Sequence, residues 1–347
     1  MTEIPPELQR YARQMRYAPI GEEGQRKLSA SRALVCGCGA LGSVLANTLA
    51  RSGVGRLRIV DRDFLELNNL QRQVLYDEQD VADNLPKAVA AQRKLQRINS
   101  QIVVEAVVAD IDHANIARLV EGVDVIVDGT DNFETRYLLN DAAIKFSIPW
   151  VYGGCIGAEG QSMTIVPGQT PCFRCLMPEP PPPGVTPTCD TAGILSPIVN
   201  VIASLEAMEA LKILTGHVEA INRDLVIVEL WDNRMRQVKL DTLRESADCP
   251  TCQKREFPWL EGRRGSNTAV LCGRNAVQLS FPGHEPLALD SLEEKLRGVG
   301  ALHRNRYLLR LAVDGYQLTV FPDGRAIIAG TDDIAEARTL YARYIGS

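Results

Sequence analysis

Three glycines, Gly37, Gly39 and Gly42, stand in the spacing G-x-G-x-x-G directly after a short apolar run at residues 33–36. This spacing is typical of a turn between a buried strand and a helix, where free N–H groups meet the phosphates of a nucleotide. Asp61 follows the next apolar run and is placed to accept hydrogen bonds from a ribose hydroxyl. The pattern predicts a nucleotide site without separating NAD, FAD and ATP. The alternative is a glycine turn that only packs.

A polar segment at residues 62–73 offers groups for a triphosphate. It is too polar for a core and too long for a simple turn, and it contains Asn68, Asn69 and Arg72. Lys87 lies further along the chain and adds a second cation. Clustered cations suit a triphosphate, whereas hydride transfer with NAD has no such need, so these residues favour ATP. The alternative is a solvated loop with incidental charges.

Another polar group follows the apolar run at residues 123–127. Ligands of an open α/β sheet bind beyond the carboxyl ends of its strands, so we expect Asp131 to face the same crevice as the glycine turn. A carboxylate there suits Mg²⁺, which binds through one or two carboxylates plus substrate phosphates. The alternative is that Asp131 or Asn132 caps a helix beginning near Glu134, and both roles can hold together.

Four cysteines form two Cys-x-x-Cys pairs, Cys172 with Cys175 and Cys249 with Cys252. Four thiolates make a closed tetrahedral zinc site of the structural kind. We therefore predict a zinc ion that joins distant parts of one domain. A redox dithiol is the alternative.

Cys189 lies outside both pairs. It follows a proline-rich stretch at residues 179–184, which predicts a stiff extended loop, and it precedes a long apolar helix predicted at residues 197–214. A thiol near a helix N-terminus has a lowered pKa and is a better nucleophile. The alternative is a free buried cysteine.

Strand-like and helix-like segments alternate before the cysteine pairs. This alternation predicts an α/β class with a Rossmann-like, mostly parallel sheet, helices on both faces and an antiparallel extension opening at residues 161–166. The domains are predicted at residues 1–254, with a linker at 255–265 and a small α+β domain at 266–347. In that domain a hairpin is expected across Asp314-Gly315. Cys272 is either a second reactive thiol or a strand residue.

Composition limits the class of protein. The chain has 347 residues, of which 45% are apolar, and a formal net charge of −5, which argues against a nucleic-acid backbone as main partner. The first residues contain no signal-peptide pattern, and no apolar run reaches about 18 residues, so we expect no membrane span and a cytoplasmic location. Nine cysteines in a reducing compartment favour metal or thiol chemistry over disulfides.

These residues together resemble the ThiF/MoeB/HesA family of ubiquitin-activating-enzyme-like adenylyltransferases. The resemblance covers about residues 7–255, and the matching pieces occur in one order: residues 10–14, 37–42, Asp61, 69–73, Pro86-Lys87, 128–132, the two cysteine pairs, and Cys189 followed by Gly193. It implies activation of a small ubiquitin-fold sulfur carrier that ends in Gly-Gly. The carrier's terminal carboxylate attacks the α-phosphate of ATP, which gives an acyl-adenylate and pyrophosphate, and sulfur is then delivered.

The resemblance also assigns roles within the nucleotide site. Asp61 holds the ribose, while Asp131 holds Mg²⁺. Phosphates are held by Asn69, Arg72 and Lys87. The whole site then comprises Gly37, Gly39, Ala40, Gly42, Asp61, Asn68, Asn69, Leu70, Gln71, Arg72, Lys87, Asp131 and Asn132.

Two roles reach beyond that site. Spacing alone makes Arg13 a solvated surface charge, whereas the resemblance implies that it reaches into the ATP site of a partner subunit in a homodimer. Cys189 would meet the activated carrier, and a cysteine desulfurase or sulfurtransferase would be a further partner. The chain departs from the family at Ala40, commonly a glycine, and at residues 80–87, which are two residues longer than usual.

Other functions remain open at this point. An NAD-dependent, zinc-containing oxidoreductase would share the glycine turn, Asp61 and the cysteines, but it does not explain Arg72, Lys87 and Asp131. A non-catalytic module that binds the carrier is the other alternative. Which carrier is used is also open, because thiamine, molybdenum cofactor, cysteine and tRNA thiolation routes use similar activators.

Overall fold

The computed structural model describes residues 4–181, 189–264, 268–271, 275–279 and 287–346. Cys272 and the proline-rich stretch beyond residue 181 lie outside them. The chain divides into two compact units, Met1–Cys189 with Gly193–Arg264 and Asp190–Ala192 with Gly265–Ser347. We call them the N-terminal and the C-terminal unit.

The N-terminal unit is built on one sheet, which has eight strands within the described residues. The strands are β1 (Arg32–Cys36), β2 (Arg56–Val60), β3 (Val103–Val107), β4 (Val125–Asp128), β5 (Trp150–Ile156), β6 (Glu159–Ile165), β7 (Leu225–Glu229) and β8 (Arg234–Val238). Their order across the sheet is β3-β2-β1-β4-β5-β6-β7-β8. The first five strands pair in parallel, and β5 to β8 pair antiparallel. The predicted mostly parallel sheet with an antiparallel extension is confirmed.

Helices surround this sheet. They are α1 (Ala12–Met15), α2 (Gly21–Ala30), α3 (Ala40–Ser52), α4 (Glu78–Ala82), α5 (Lys87–Ile98), α6 (Ile116–Leu119), α7 (Phe133–Phe146), α8 (Phe173–Leu176), α10 (Ser196–Thr215) and α11 (Leu243–Ser246). A further short helix, α9 (Cys189–Ala192), is divided between the two units. Short 3-10 turns cover Pro6–Tyr11, Leu67–Asn69 and Val218–Ala220.

Both faces of the sheet carry a hydrophobic core, because successive strand residues point to opposite faces. Ala33 and Val35 of β1 lie in the cluster that includes α3, α5 and α10. Leu34 and Cys36 lie in a second cluster with residues of α6 and α7. The prediction of helices on both faces is therefore confirmed.

Residues 255–264, where the sequence predicts a linker, belong to the N-terminal unit. Phe257 and Trp259 are buried in the second cluster. The carboxylate of Asp141 on α7 accepts the N–H of Trp259 at 3.0 Å and holds this segment against the helix. The two aromatic side chains explain why this stretch packs.

The C-terminal unit contains a six-stranded antiparallel sheet within the described residues. Its strands are β9 (Thr268–Leu271), β10 (Ala276–Leu279), β11 (Ala301–Arg304), β12 (Leu309–Val313), β13 (Tyr316–Val320) and β14 (Ala326–Ala329), in the order β11-β12-β13-β14-β10-β9. Helices α12 (Leu289–Leu296) and α13 (Ile334–Tyr344) contribute to its core. The predicted hairpin is present: Val313 pairs with Tyr316, and Asp314 and Gly315 both have positive φ, as a two-residue turn requires.

Among the helices that the structure describes, none is long and apolar enough to cross a membrane.

Candidate functional site

The glycine turn lies where the strand order reverses. The chain runs from β1 outward to β3 and then returns to the other side of β1 with β4, so the carboxyl ends of β1 and β4 border one crevice. Gly129, just after β4, donates its N–H to the carbonyl of Cys36 at 2.7 Å. A Cβ on Gly37 would lie 2.7 Å from the carbonyl oxygen of Gly129. The turn and the loop that carries Asp131 are thus in contact.

The three glycines have different surroundings. Gly37 has a φ of +80°, a backbone angle that residues other than glycine rarely adopt. A Cβ on Gly42 would lie 1.9 Å from the carbonyl oxygen of Gly37, so this position needs glycine for the helix to pack against the turn. At Gly39 the nearest atom to such a Cβ would be the Gln73 Nε2, at 3.9 Å. Open space above Gly39 is what a phosphate needs in order to approach the backbone.

Ala40 is the first residue of α3, and its φ is not positive. The departure from the family's glycine therefore introduces no backbone strain. The longer segment at residues 80–87 is accommodated by α4 and by Asn84, whose φ is +49°. Lys87 is then the first residue of α5, at the helix start that the sequence predicts.

Asp61 is buried beneath the turn. Its Oδ2 accepts the N–H of Cys38 at 2.6 Å, and its Oδ1 accepts the N–H of Asp63 at 2.7 Å. Burial raises the pKa of the Asp61 carboxyl, and the nearby Lys87 ammonium lowers it. Asp61 therefore shapes the glycine turn directly, a role that its sequence position alone does not reveal.

Lys87 is almost fully buried and paired. Its Nζ lies 3.0 Å from Oδ2 of Asp63, and its backbone N–H donates to the carbonyl of Asp63 at 2.9 Å. The hydroxyl of Tyr76 lies 2.8 Å from the carbonyl oxygen of Cys38 and 3.2 Å from that of Lys87. Sequence reasoning missed Asp63 and Tyr76. The Asp-x-Asp spacing from Asp61 was an available signal for Asp63, but none pointed to Tyr76.

The amide of Asn69 holds the polar segment in place. Its Oδ1 accepts the N–H of Glu66 at 3.2 Å, and its Nδ2 donates to Oδ1 of Asn68 at 2.8 Å. The guanidinium of Arg72 donates to the carbonyl of Asn68 at 2.8 Å and is half-buried. Asn69 thus orients its neighbours, while Asn68 itself is exposed.

Three further residues of this segment differ in their surroundings. Leu70 packs against the core, and Gln71 contacts the carbonyl of Ile194 at 3.5 Å. Gln73 is buried, and its Oε1 has no hydrogen-bond partner within the described part of the chain. The Nε2 atom of the same side chain borders the open space at Gly39.

Asn132 is the N-cap of α7, since its side chain accepts the N–H of Thr135 at 2.8 Å. The capping alternative is therefore confirmed for Asn132. Asp131 beside it is exposed.

A buried charged group lies beneath this loop. Asp128 at the end of β4 accepts the N–H and the hydroxyl of Thr130 at 2.8 and 2.6 Å, and burial raises its pKa to about 6. The Arg136 guanidinium donates to the carbonyls of Thr130 and Gly153 at 2.8 and 3.3 Å. Glu206 of α10 is fully buried, and among the described residues neither of its carboxylate oxygens has a hydrogen-bond partner of normal geometry.

The four paired cysteines meet as predicted. All four Sγ atoms lie within 4.8 Å of one another. The Sγ atom of Cys172 lies 3.8 Å from that of Cys175 and 3.5 Å from that of Cys249, and the Sγ atoms of Cys175 and Cys252 are 3.4 Å apart. A tetrahedron with Zn–S distances of about 2.3 Å has S···S edges of about 3.8 Å, so this donor set and size fit a metal ion of that kind.

Helix α7 holds both halves of the cysteine cluster. Asn140 accepts the N–H of Phe173, next to Cys172, at 2.8 Å. Asp141 accepts the hydroxyl of Thr251, between Cys249 and Cys252, at 3.2 Å. This arrangement could not be predicted from the sequence, because the two cysteine pairs and α7 are far apart along the chain.

Arg13 and Cys189 are the two remaining site residues that the sequence predicts. Arg13 is exposed on α1, which packs on α2. Cys189 is the first residue of the four-residue α9, seven residues before α10 begins, so it does not stand at the N-terminus of the long helix. That a helix N-terminus activates this thiol stays a prediction.

Comparisons with known proteins agree with the geometry of the crevice. The family described as "ThiF family" matches residues 11–251. The chain is 45% identical over 338 residues to the sulfur carrier protein ThiS adenylyltransferase of Bacillus subtilis strain 168, covering 97% of this chain and 99% of that protein. It is 41% identical over 246 residues to the SAMP-activating enzyme E1 of Haloferax volcanii, covering 71% of this chain and 89% of that protein.

A solved structure, E. coli MccB with ATP, has the same fold. Its TM-score is 0.59 at 24% identity, with 72% of this chain and 76% of that chain covered. The B. subtilis relative also matches the C-terminal unit, because its alignment spans nearly the whole chain.

Proposed function

This chain belongs to the ThiF family, and we propose on that basis that it is an ATP-dependent adenylyltransferase. Its substrate is the C-terminal glycine carboxylate of a ubiquitin-fold sulfur carrier. The observation that carries this proposal is the convergence of three groups on one crevice. The open glycine turn and the loop with Asp131 follow the adjoining strands β1 and β4, and the buried Lys87 contacts Asp63, which follows the neighbouring β2.

The residues of the crevice suit ATP as a substrate. N–H groups at the start of α3 and the open space at Gly39 suit phosphate oxygens. Lys87 and Arg72 supply the cations, and Asp61 is positioned after β2 for the ribose. Asn68, which is exposed, adds a polar group at the same edge.

Asp131 is the residue that we assign to Mg²⁺. It is exposed, whereas Asp128 at the end of β4 is fully buried and accepts two hydrogen bonds from Thr130. An exposed carboxylate suits Mg²⁺, which keeps several waters and shares its coordination with phosphates. The ion would neutralise phosphate charge as pyrophosphate leaves.

The reaction is a displacement at phosphorus. A carboxylate oxygen of the carrier's terminal glycine forms a bond to the α-phosphorus, and the bond from that phosphorus to the bridging oxygen breaks. Pyrophosphate departs with the electron pair and leaves an acyl-adenylate. Little other chemistry is needed from the protein, so Lys87 and Arg72 act by placing positive charge where the leaving group gains negative charge.

The cysteine cluster fits a structural Zn²⁺ held by Cys172, Cys175, Cys249 and Cys252. Four thiolates leave no open position for water, so this ion takes no part in adenylation. Its role is to join the segments that α7 already holds. Such a thiolate site suits a reducing compartment, which supports a cytoplasmic location.

Later steps involve partners. Cys189 is the thiol that we assign to the activated carrier, and a cysteine desulfurase or sulfurtransferase would supply the sulfur. Arg13 is exposed and would complete the ATP site of a second copy in a homodimer. The similarity to a ThiS adenylyltransferase over 97% of this chain favours a carrier of the ThiS kind.

Isotope exchange between pyrophosphate and ATP tests the function. We expect exchange that depends on a carrier ending in Gly-Gly and disappears when the last glycine is removed. An NAD-dependent oxidoreductase or a module that only binds the carrier would show no exchange with either carrier.

A further inference from the structure

An ion pair lies at the carboxyl ends of β2 and β3, outside the groups discussed so far. Arg62 Nη1 lies 2.7 Å from Oδ1 of Asp110, and the two side chains are 28% and 24% exposed. Arg62 directly follows Asp61, and Asp110 lies three residues beyond the end of β3. The pair therefore stands beside the predicted ribose residue and is partly open to solvent.

The pair is held from both sides. The carbonyl of Asp110 accepts the side-chain N–H of Asn115 at 2.7 Å, which fixes the loop after β3. Arg62 Nε lies 3.7 Å from Oδ1 of Asp63, the residue that pairs with Lys87. Neighbouring carboxylates raise the pKa of the Arg62 guanidinium, so it stays charged. The position of the Asp110 carboxylate is thus set before any ligand arrives.

The strand order indicates which part of a nucleotide would meet this pair. Phosphates belong at the glycine turn after β1, and the ribose belongs at Asp61 after β2. The base is attached to the ribose on the side away from the phosphates. Neighbouring strands are about 4.8 Å apart, so continuing in the same direction brings the base over the ends of β2 and β3.

We propose that the Arg62–Asp110 pair recognises the nucleobase of ATP. Asp110 accepts a hydrogen bond from the exocyclic amine of adenine, and Arg62 holds the carboxylate in position. Guanine carries a carbonyl oxygen where adenine has its amine, and that oxygen would be repelled by the Asp110 carboxylate. The inference rests on the proposed use of ATP and adds the basis for selecting it.

A second ion pair on the same strands provides a matched control. Arg58 on β2 and Glu105 on β3 are paired in register, and Nε of Arg58 lies 2.8 Å from Oε2 of Glu105. This pair lies within the strands, and Arg58 also donates to the carbonyl of Leu119 at 2.6 Å. It has the same chemistry as the Arg62–Asp110 pair but lies away from the carboxyl ends.

Equilibrium binding of three nucleotides to the full chain tests the proposal. The probes are ATP, GTP and purine riboside triphosphate, which is ATP without its exocyclic amine. The wild-type protein should bind ATP about tenfold more tightly than purine riboside triphosphate, because a hydrogen bond to a charged group is lost. Asp110→Ala should remove that preference, and Glu105→Ala should retain it.

Asp110→Asn provides a second variant. Its amide can present either an oxygen or an N–H group, so it should narrow the preference for ATP over GTP while keeping the shape of the side chain. Equal binding of ATP and purine riboside triphosphate by the wild type, or an unchanged preference in both Asp110 variants, would overturn the proposal. Failure of the wild type to bind any nucleotide would instead contradict the proposed function.

Discussion

Gly39 and Gly42 stand three residues apart in one turn, yet a Cβ would meet opposite surroundings at the two positions. At Gly39 the nearest atom would be 3.9 Å away, and at Gly42 a carbonyl oxygen would be 1.9 Å away. One glycine leaves space for a ligand, and the other allows the helix to pack.

This difference predicts opposite effects of the same substitution. Gly42→Ala should lower the free energy of unfolding by about 1–3 kcal/mol, because the backbone must shift. Gly39→Ala should unfold like the wild type but bind ATP at least about tenfold more weakly, because its methyl group occupies the phosphate space. Chemical denaturation and nucleotide titration measure the two effects. Normal ATP affinity in a folded Gly39→Ala protein would contradict the assignment of the turn.

Asp131→Ala should reduce pyrophosphate exchange by about a hundredfold or more, because the Mg²⁺ ligand is lost. The fold should be unaffected, since an exposed side chain away from structural contacts usually changes stability within about 0.5 kcal/mol. Asp124 is the control for exchange, because it is also exposed and lies just before β4, at the opposite end of that strand, where its carboxylate accepts the N–H of Arg32 at 2.7 Å. Normal exchange by Asp131→Ala, or an equal loss in Asp124→Ala, would remove Asp131 from the site.

The zinc assignment predicts one tightly bound zinc per chain. Cys172→Ser should lose the metal and lower the melting temperature, because metal binding energy at a structural site contributes to folding. Cys155→Ser should retain it, since Cys155 is not one of the four clustered thiols. Cys189→Ala should also retain it, since Cys189 lies outside both Cys-x-x-Cys pairs of the sequence. Metal analysis and thermal unfolding with and without a chelator provide the measurements. Full zinc content in Cys172→Ser would show that these thiols do not hold it.

Glu206 and Glu209 provide a test of buried charge. The Glu209 carboxylate lies 2.6 Å from the Lys212 ammonium and accepts the N–H of Asn222 at 2.8 Å. In the described part of the chain, the Glu206 carboxylate has no hydrogen-bond partner of normal geometry. Burial and the nearby Asp128 on β4 raise the pKa of Glu206, and Arg136 on α7 opposes this. The folded protein therefore retains a proton that the unfolded chain releases above its ordinary pKa near 4.5.

Because the pKa of Glu206 is higher in the folded protein, the free energy of unfolding should fall as pH rises above about 4.5. Glu206→Gln should make the free energy of unfolding depend less steeply on pH. It should also raise that free energy by about 1–3 kcal/mol at pH 8. Glu209→Gln should lower it by about 1 kcal/mol, because a paired charge is lost. Denaturation at pH 5 and pH 8 checks both. A Glu206→Gln protein less stable than wild type at pH 8 would show that the ionised carboxylate is stabilised.

Much of the fold could be predicted from the sequence. The run at residues 123–127, the helix from Lys87 and the Asp314-Gly315 hairpin carry local signals of periodicity and turn chemistry. The strand β8 (Arg234–Val238) carries no such signal, because every one of its residues is exposed. It was therefore not predicted.

The residues around the proposed nucleotide site likewise include some that could be predicted from the sequence and some that could not. Gly37, Asp61 and Lys87 could be named because their spacing follows a known chemical need. Tyr76 and Glu206 could not, because their roles depend on neighbours that only the tertiary structure supplies. Asp61 also has a structural role, because it accepts the N–H of Cys38 and so holds the glycine turn. This contact is evident only in the folded structure.

The central claim is that the carrier's carboxylate attacks the α-phosphate of ATP, and oxygen labelling tests it most directly. A carrier with ¹⁸O in its terminal carboxylate is incubated with the protein and ATP, and the acyl-adenylate is then cleaved with hydroxylamine, which attacks the carbonyl carbon. The account predicts one ¹⁸O atom in the released AMP, with pyrophosphate unlabelled. Label in inorganic phosphate with formation of ADP, or no label in AMP, would contradict it.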